Sequence, residues 1–193
     1  VRRFDRAWLE GPSGPWLARL PQEDFCQATG TPAALKYESD GGPGIERIMS
    51  LLATSEQPQP DRRTFFLAQL IFWMLRAPDG HAKNFSLSVR PKGAYRLTPL
   101  YDVMSAWPLI GEGPGQLSEH KIRMAMAIRS TNAHWKTKEI HRRHWIALGK
   151  RFGVLDDAGR DMEAILDAVI ARTPRVIAEV GAELPSDFPE HVA

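Results

Sequence analysis

The sequence predicts a mainly α-helical domain that carries one small β-hairpin. The segment 62–77 is apolar nearly all round, which is typical of a helix that runs through the middle of a helical domain. Residues 85–89 alternate apolar and polar side chains, and after the turn RPKG the segment 94–100 is the expected return strand. A chain of 193 residues suits one such domain, so 1–193 is expected to form a single unit.

Composition and charge exclude several classes of protein. Hydrophobic residues make up 43% of the chain and charged residues 25%, as in an ordinary globular protein. The net charge of +2 is too balanced for a chain that binds nucleic acid through overall charge alone. The single cysteine, Cys26, excludes an internal disulfide framework, fits a reducing compartment and is expected to pack as a small hydrophobe.

No targeting or membrane segment is visible in the sequence. The N-terminal segment lacks the apolar core of a signal peptide, and the longest apolar stretch, 65–75, is about half of a membrane span. We therefore expect a cytoplasmic protein that makes no membrane contact.

The elements before the long helix are short and separated by turns. GPSGP at 11–15 is a hairpin turn or loop, and 21–28 is expected to form a short helix. The glycine-rich loop 39–44 leads into a helix over 44–53, whose apolar residues share one face, and 55–61 is a linker. Asp61 is the expected N-cap of the helix at 62–77, and Pro78 ends that helix.

After the hairpin the sequence predicts only helices. Ser118 is the expected cap of a helix that reaches Ile128, and a basic, aromatic helix follows at about 135–151. Two final helices are expected at about 156–172 and 174–183, with Pro174 at the break between them.

Three polar residues around the hairpin are the candidates for chemistry. Asp79 follows the buried helix, Asn84 precedes the first strand, and Asp102 follows the second strand. Because a hairpin brings its two ends together, Asn84 and Asp102 should be neighbours, with Asp79 in the same loop.

This arrangement suits phosphoryl transfer. One carboxylate accepts the proton of the attacking hydroxyl, while an amide and a second carboxylate hold magnesium against the nucleotide phosphates. Protein kinases use the same spacing of Asp and Asn, and their metal-binding Asp also follows a short hairpin. Asp and Asn are equally common in turns, so spacing alone leaves ordinary turn chemistry open as the alternative.

A family resemblance separates these alternatives. Four segments are similar to the C-terminal kinase domain of HipA, the serine/threonine-kinase toxin of HipBA toxin–antitoxin modules, and VRRFDR and LPSDFPE near the two ends fit as well. The four segments are LPQEDFCQATG, KYESDGGPG, DGHAKNFS and YRLTPLYDV. The resemblance covers essentially the whole chain and implies the helical C-lobe of a protein-kinase-like fold.

The resemblance also implies roles for individual residues. Asp79 corresponds to the catalytic aspartate, and Asn84 and Asp102 correspond to the magnesium ligands. His81 and Lys83 lie in the same catalytic loop and are expected to reach the phosphates of ATP.

The nucleotide site is implied at the start of the chain. In VRRFDR, which corresponds to the hinge between kinase lobes, backbone groups near Arg3 and Phe4 are expected to meet the adenine of ATP and Asp5 to lie near its ribose. The family's glycine-rich phosphate loop and strand lysine precede this hinge, and this sequence has neither. We therefore expect an N-lobe outside the given chain, and an isolated chain that does not transfer phosphate.

Three functional hypotheses follow. The resemblance implies a kinase that phosphorylates an aminoacyl-tRNA synthetase, glutamyl-tRNA synthetase in the best-known members, causes growth arrest linked to persistence, and is restrained by a HipB-like antitoxin. The second hypothesis is a docking module for an antitoxin and DNA that has no catalysis. The third is an unrelated helical metal-binding domain.

The segment 134–145 bears on the last two hypotheses. Its histidines, His134, His141 and His144, lack the further ligand that a zinc site needs, so a solvated or interfacial helix is favoured. Its four basic residues are either the charged outer face of a helix or a patch that contacts the DNA backbone in an antitoxin complex.

Overall fold

The computed structural model describes residues 3–188. Residues 1–2 of VRRFDR and residues 189–190 of LPSDFPE lie outside this range. The helices, numbered in chain order, are α1 Phe25–Ala28, α2 Ile45–Leu52, α3 Pro58–Met74, α4 Arg142–Phe152 and α5 Met162–Glu183. The strands are β1 Arg6–Leu9, β2 Trp16–Arg19, β3 Gln22–Asp24, β4 Ser86–Val89, β5 Tyr95–Leu97, β6 Arg123–Arg129 and β7 Ala133–Lys136.

The expected mainly α fold class with a single hairpin is wrong. The described chain is mixed, with 45% of its residues helical and 17% in strands. The strands form three small antiparallel sheets, β1-β2, β3-β4-β5 and β6-β7. The sequence predicts β4 and β5 from their local alternation, and the hairpin turn or loop expected at 11–15 joins β1 to β2. Strand β3 was missed because its partner β4 is distant in sequence.

The largest error concerns the helix expected from Ser118 to Ile128. The chain instead forms β6, which pairs with β7, so the basic helix expected from residue 135 begins only at Arg142. Met and Ala favour helices, but β6 is buried along most of its length, from Met124 to Ile128. Burial on both faces removes the period-two alternation by which a strand is usually recognised.

The central sheet joins β3 to the predicted hairpin. Gln22 pairs with Ser88 and Asp24 with Ser86, so the helix expected over 21–28 is half strand and half helix. The switch occurs at Asp24, whose carboxylate accepts a hydrogen bond from the backbone N–H of Gln27 at 2.9 Å. The Gln27 side chain accepts one from Asp24 N at 3.0 Å, which completes a capping box for α1.

The long apolar helix α3 is confirmed, but its start is earlier than expected. It begins at Pro58, so Asp61 is not the cap and lies in the first turn. Asp61 is buried and its carboxylate accepts a hydrogen bond from Leu97 N at 3.1 Å, which attaches α3 to β5. Phe65 of α3 packs between the rings of Phe25 and Phe85, at centroid distances of 6.0 and 5.0 Å.

The remaining helices agree only in part with the sequence. The helix over 44–53 is confirmed as α2, with Ile45, Ile48, Met49 and Leu52 buried. The break expected at Pro174 does not occur, since Pro174 lies inside the single helix α5. Ile170, one turn earlier, is 63% exposed, so we infer that water can satisfy the carbonyl group that Pro174 leaves unpaired. No helix within residues 3–188 is long and apolar enough to cross a membrane.

Candidate active site

Asp79 lies in a tight loop directly after α3, on the rim of the core. Its side chain is 49% exposed, and its Oδ1 atom accepts a hydrogen bond from the Tyr37 hydroxyl at 2.6 Å. The Nε2 atom of His81 is 3.5 Å from the same oxygen. Gly80 lets the loop pack closely, because a Cβ atom at this position would lie 2.9 Å from the Phe72 ring. The Asp79 carboxylate is therefore held through its Oδ1 atom and remains open to solvent.

The two neighbours of Asp79 are neutral at physiological pH. The hydrogen bond to Asp79, together with burial, raises the pKa of Tyr37 to about 12. Burial lowers the pKa of His81, although the nearby Asp79 carboxylate opposes that shift. The His81 ring stands edge-on to Tyr37, with centroids 5.1 Å apart. Tyr37 therefore supports the carboxylate as a hydrogen-bond donor, and the His81 ring lies beside it, and neither side chain adds charge.

Asn84 closes the loop that Asp79 begins. Its amide Nδ2 donates a hydrogen bond to the Asp79 carbonyl oxygen at 2.6 Å, and the side chain is only 5% exposed. The other polar atom of this side chain is the amide oxygen, Oδ1. Within residues 3–188 no protein hydrogen bond uses that oxygen, so it remains available as a ligand.

Lys83 is attached to the opposite side of the loop. Its ammonium group lies 2.6 Å from a carboxylate oxygen of Asp24, the N-cap of α1. The Tyr101 hydroxyl donates a hydrogen bond to the Lys83 carbonyl oxygen at 2.9 Å. Asp24 therefore holds Lys83 against α1, and the expected contact between Lys83 and nucleotide phosphates stays a prediction.

Asp102 follows the hairpin in an unusual backbone conformation. Its φ angle is 55°, in the left-handed region that few residues other than glycine adopt. The side chain is exposed and forms no ion pair with any described residue. A strained residue with a free carboxylate beside a cavity is a feature typical of functional sites.

A cavity of about 670 Å³ lies beside Asp102 and the start of the chain. Arg3, Phe4, Asp5 and Tyr101 line the cavity, and the Tyr101 ring lies 6.0 Å from that of Phe4. Two hydrogen bonds of 2.8 Å from Arg3 lower the pKa of Asp5 to about 2, so this carboxylate stays charged. The volume is in the range of small-molecule sites, which are about 300–1,000 Å³.

The donor atoms fit the magnesium ion that the resemblance implies. Mg²⁺ prefers carboxylate and amide oxygens, and both Asp102 and Asn84 offer such an oxygen free of protein partners among the described residues. The sharing of one ion by these two side chains stays a prediction. Within residues 3–188 no group of three or more His, Cys, Asp or Glu side chains is placed to hold a metal.

The basic segment 134–145 is largely neutralised by ion pairs. Lys136 pairs with Glu139, Lys138 with Glu119 and Arg142 with Asp167. Trp145 is completely buried, so it belongs to the core and not to a binding surface. The segment therefore presents less free positive charge than its sequence indicates.

Two buried histidines predict how stability depends on pH. Burial lowers the pKa of both His81 and His144, and His144 is stacked on His134 with ring centroids 3.9 Å apart. Below about pH 6.5 the unfolded chain binds protons that the folded state excludes, so the free energy of unfolding falls as pH decreases. Urea denaturation between pH 5 and 7.5 measures this slope.

The matched variants are His144→Gln and His120→Gln. The first keeps a side-chain acceptor for the bond from His141 N and should flatten the slope. The second changes an exposed histidine and should leave the slope as it is. Equal slopes in all three proteins would contradict the assignment.

Sequence reasoning did not single out Tyr37 and Glu38. The Glu38 carboxylate accepts hydrogen bonds from Ala127 N at 2.7 Å and from the Arg129 guanidinium group, at 2.6 Å for the shorter contact, which joins this loop to β6. A Cβ atom at Gly44 would lie 2.3 Å from the Glu38 carboxyl carbon, so a larger residue at this position would displace the Glu38 side chain. The available signal was the segment KYESDGGPG, which carries part of the family resemblance.

Comparisons with known proteins agree with this resemblance. A family model described as HipA-like C-terminal domain matches residues 1–177. A relative from Sinorhizobium fredii (strain NBRC 101917 / NGR234), named "Putative kinase Y4mE", is 31% identical over 181 residues, which are 93% of this chain and 40% of the relative.

A solved structure shares the fold. It contains HipA from Shewanella oneidensis MR-1 with HipB and its operator DNA, and its TM-score to this chain is 0.75 at 24% sequence identity. The match covers 100% of this chain and 44% of that chain.

The chain belongs to the family of HipA-like C-terminal domains. It spans less than half the length of the two proteins above, 40% and 44% respectively.

Proposed function

We propose that this chain is the catalytic lobe of an ATP-dependent serine/threonine protein kinase. The observation that carries the proposal is the geometry around Asp79, a half-exposed carboxylate fixed through one oxygen by the Tyr37 hydroxyl, with His81 beside the same oxygen. The other oxygen, Oδ2, forms no protein hydrogen bond within the described residues. A carboxylate with one oxygen anchored and one free is suited to accept a proton from a bound hydroxyl group.

The residues around Asp79 support this proton transfer. Tyr37, with its pKa raised to about 12, stays protonated and donates to Oδ1 at neutral pH. Asn84 fixes the loop backbone through its bond to the Asp79 carbonyl oxygen, which limits the positions that the carboxylate can adopt. Asn84 and Asp102 would hold magnesium, which supplies charge neutralisation to nucleotide phosphates. Arg3, Phe4 and Asp5 line the cavity that we assign to the nucleotide.

We further propose that the complete protein acts as the toxin of a toxin–antitoxin module. Family membership supports this, as does the Shewanella structure, in which HipA is assembled with HipB and operator DNA. The partners proposed for this chain are a HipB-like antitoxin and, through it, the DNA backbone. The proposed substrate is an aminoacyl-tRNA synthetase, with glutamyl-tRNA synthetase as the first candidate, and its phosphorylation would arrest growth.

The metal assignment predicts that Asp102→Asn weakens magnesium-dependent ATP binding by about 10–100-fold, since changes around metal ligands typically cost that much. Asn tolerates the left-handed backbone at this position, so the substitution removes charge without adding strain. Calorimetric titration of the complete protein with ATP, with and without Mg²⁺, measures the effect.

The control for this experiment is Glu183→Gln, which removes an exposed carboxylate at the end of α5. It should leave ATP binding unchanged. If the Asp102→Asn protein binds Mg-ATP as tightly as the parent, Asp102 is not a ligand. If the parent binds no ATP, the docking module without catalysis becomes the better description.

A further inference from the structure

A second cavity, of about 540 Å³, opens next to Asp79. Tyr37, whose hydroxyl contacts the Asp79 carboxylate, and Pro78, which precedes Asp79, both line it. Its lining residues differ from all the described residues that line the proposed nucleotide cavity. A kinase needs a site for the nucleotide and a separate site for the group that receives the phosphate.

The second cavity carries positive charge that nothing in the described structure neutralises. Lys121 and Arg123 line it and are exposed, and neither forms an ion pair with a described residue. The nearby carboxylate of Glu119 is engaged by Lys138 at 2.9 Å and by Arg76 at 3.3 Å. The described lining residues include no Asp or Glu.

Arg123 is held in place while remaining free to bind an anion. Its guanidinium group lies over the ring of Trp135, at 5.6 Å from the centroid. Such a cation–π contact orients the group but leaves its N–H donors open. By contrast Lys136 and Lys138, which follow Trp135 closely in sequence, are both paired with carboxylates. Of these four cations, the two that line the cavity, Lys121 and Arg123, have no ion-pair partner among the described residues.

The rest of the cavity suits an extended protein segment. Leu117, which is 41% exposed, supplies apolar contact area, while Ser39, Gln116 and Ser118 supply hydrogen-bonding groups. A surface with apolar contacts, a few polar groups and two cations can accommodate the side chains of a peptide that contains carboxylates.

We propose that this cavity, the acceptor groove, binds the protein segment that presents the hydroxyl group to Asp79, and that it selects acidic residues beside that hydroxyl. The groove is defined by Tyr37, Pro78, Leu117, Lys121, Arg123 and Trp135. The inference rests on the proposed kinase function for the role of Asp79, whereas the selection of acidic segments rests on the charges of Lys121 and Arg123.

The experiment is fluorescence anisotropy on the complete protein with three labelled peptides. Each peptide has one central Ser, flanked by Glu, Gln or Lys. The Glu peptide should bind most tightly, and the double variant Lys121→Gln/Arg123→Gln should weaken it by roughly tenfold, because exposed ion pairs each contribute modestly. Binding of the Gln peptide should change little.

The matched control is Arg143→Gln/Lys150→Gln, which removes the same two charges from exposed positions on α4 that do not line the groove. It should leave all three affinities unchanged. Circular dichroism verifies that both double variants are folded, which is expected because all four side chains are exposed.

The outcomes separate this inference from the proposed function. The Asp79→Asn protein should still bind the Glu peptide, because Asp79 contributes no positive charge to the groove. If the parent protein transferred no phosphate while charge-dependent peptide binding held, the proposed function would fail and the selection of acidic segments by the groove would stand. Equal affinity for the Glu and Gln peptides, or an unchanged affinity in the Lys121→Gln/Arg123→Gln variant, overturns the proposal that the groove selects acidic segments. If single-stranded RNA binds more tightly than the Glu peptide and this binding is lost in the Lys121→Gln/Arg123→Gln variant, the surface is a nucleic-acid site and not a peptide groove.

Discussion

Replacement of Asp79 by Asn in the complete protein is expected to lower the rate of phosphoryl transfer by about 10²–10⁴-fold, which is the usual contribution of a general base. The amide cannot accept the proton that the free Oδ2 atom of the carboxylate receives. Its remaining oxygen can still accept the Tyr37 hydroxyl bond, so the loop should keep its shape. Transfer of labelled phosphate from ATP to protein, including autophosphorylation, measures the rate.

The control for this substitution is Asp157→Asn, which makes the same chemical change at a side chain that is 91% exposed. It should leave the rate unchanged. The thermal unfolding midpoint of Asp79→Asn should lie close to that of the parent, which separates lost chemistry from lost structure. Near-normal phosphoryl transfer by Asp79→Asn would show that Asp79 is not the base.

The largest expected effect on stability comes from Phe85→Ala, which should lower the free energy of unfolding by about 3–5 kcal/mol. The Phe85 ring is 2% exposed and packs on Phe65 and Phe72, at centroid distances of 5.0 and 5.7 Å. Its removal leaves a cavity where α3, β4 and the Asn84 loop meet. Guanidinium denaturation followed by circular dichroism measures the change.

Two further variants bracket this result. Phe85→Leu keeps most of the buried volume and should cost much less than the alanine variant. Phe188→Ala, at a ring that is 36% exposed, should cost little. If Phe85→Ala lowered the free energy of unfolding by less than about 1 kcal/mol, the Phe85 ring would not be packed in the core against Phe65 and Phe72. Because Phe85 follows Asn84 directly, the alanine variant should also weaken magnesium-dependent ATP binding.

The sequence by itself determined the features that arise from local patterns. The apolar faces of α2 and α3 repeat with helical period, and the hairpin β4-β5 shows alternation on both sides of a turn. The positions of Asp79, Asn84 and Asp102 around that hairpin are likewise visible in the sequence. The resemblance of the chain to HipA-like kinase domains rests on short segments that include these residues. The family model that matches residues 1–177 confirms it.

Only the tertiary structure decided the features that depend on distant partners. The Met- and Ala-rich segment that became β6 favours a helix locally, but pairing with β7 and the bonds from Glu38 outweigh that preference. Tyr37 is 42 residues from Asp79 in sequence, and their hydrogen bond exists only because the fold brings the two loops together. Local periodicity carries no information about such contacts, so neither the sheet β6-β7 nor the orientation of the Asp79 carboxylate could be obtained without the packed chain.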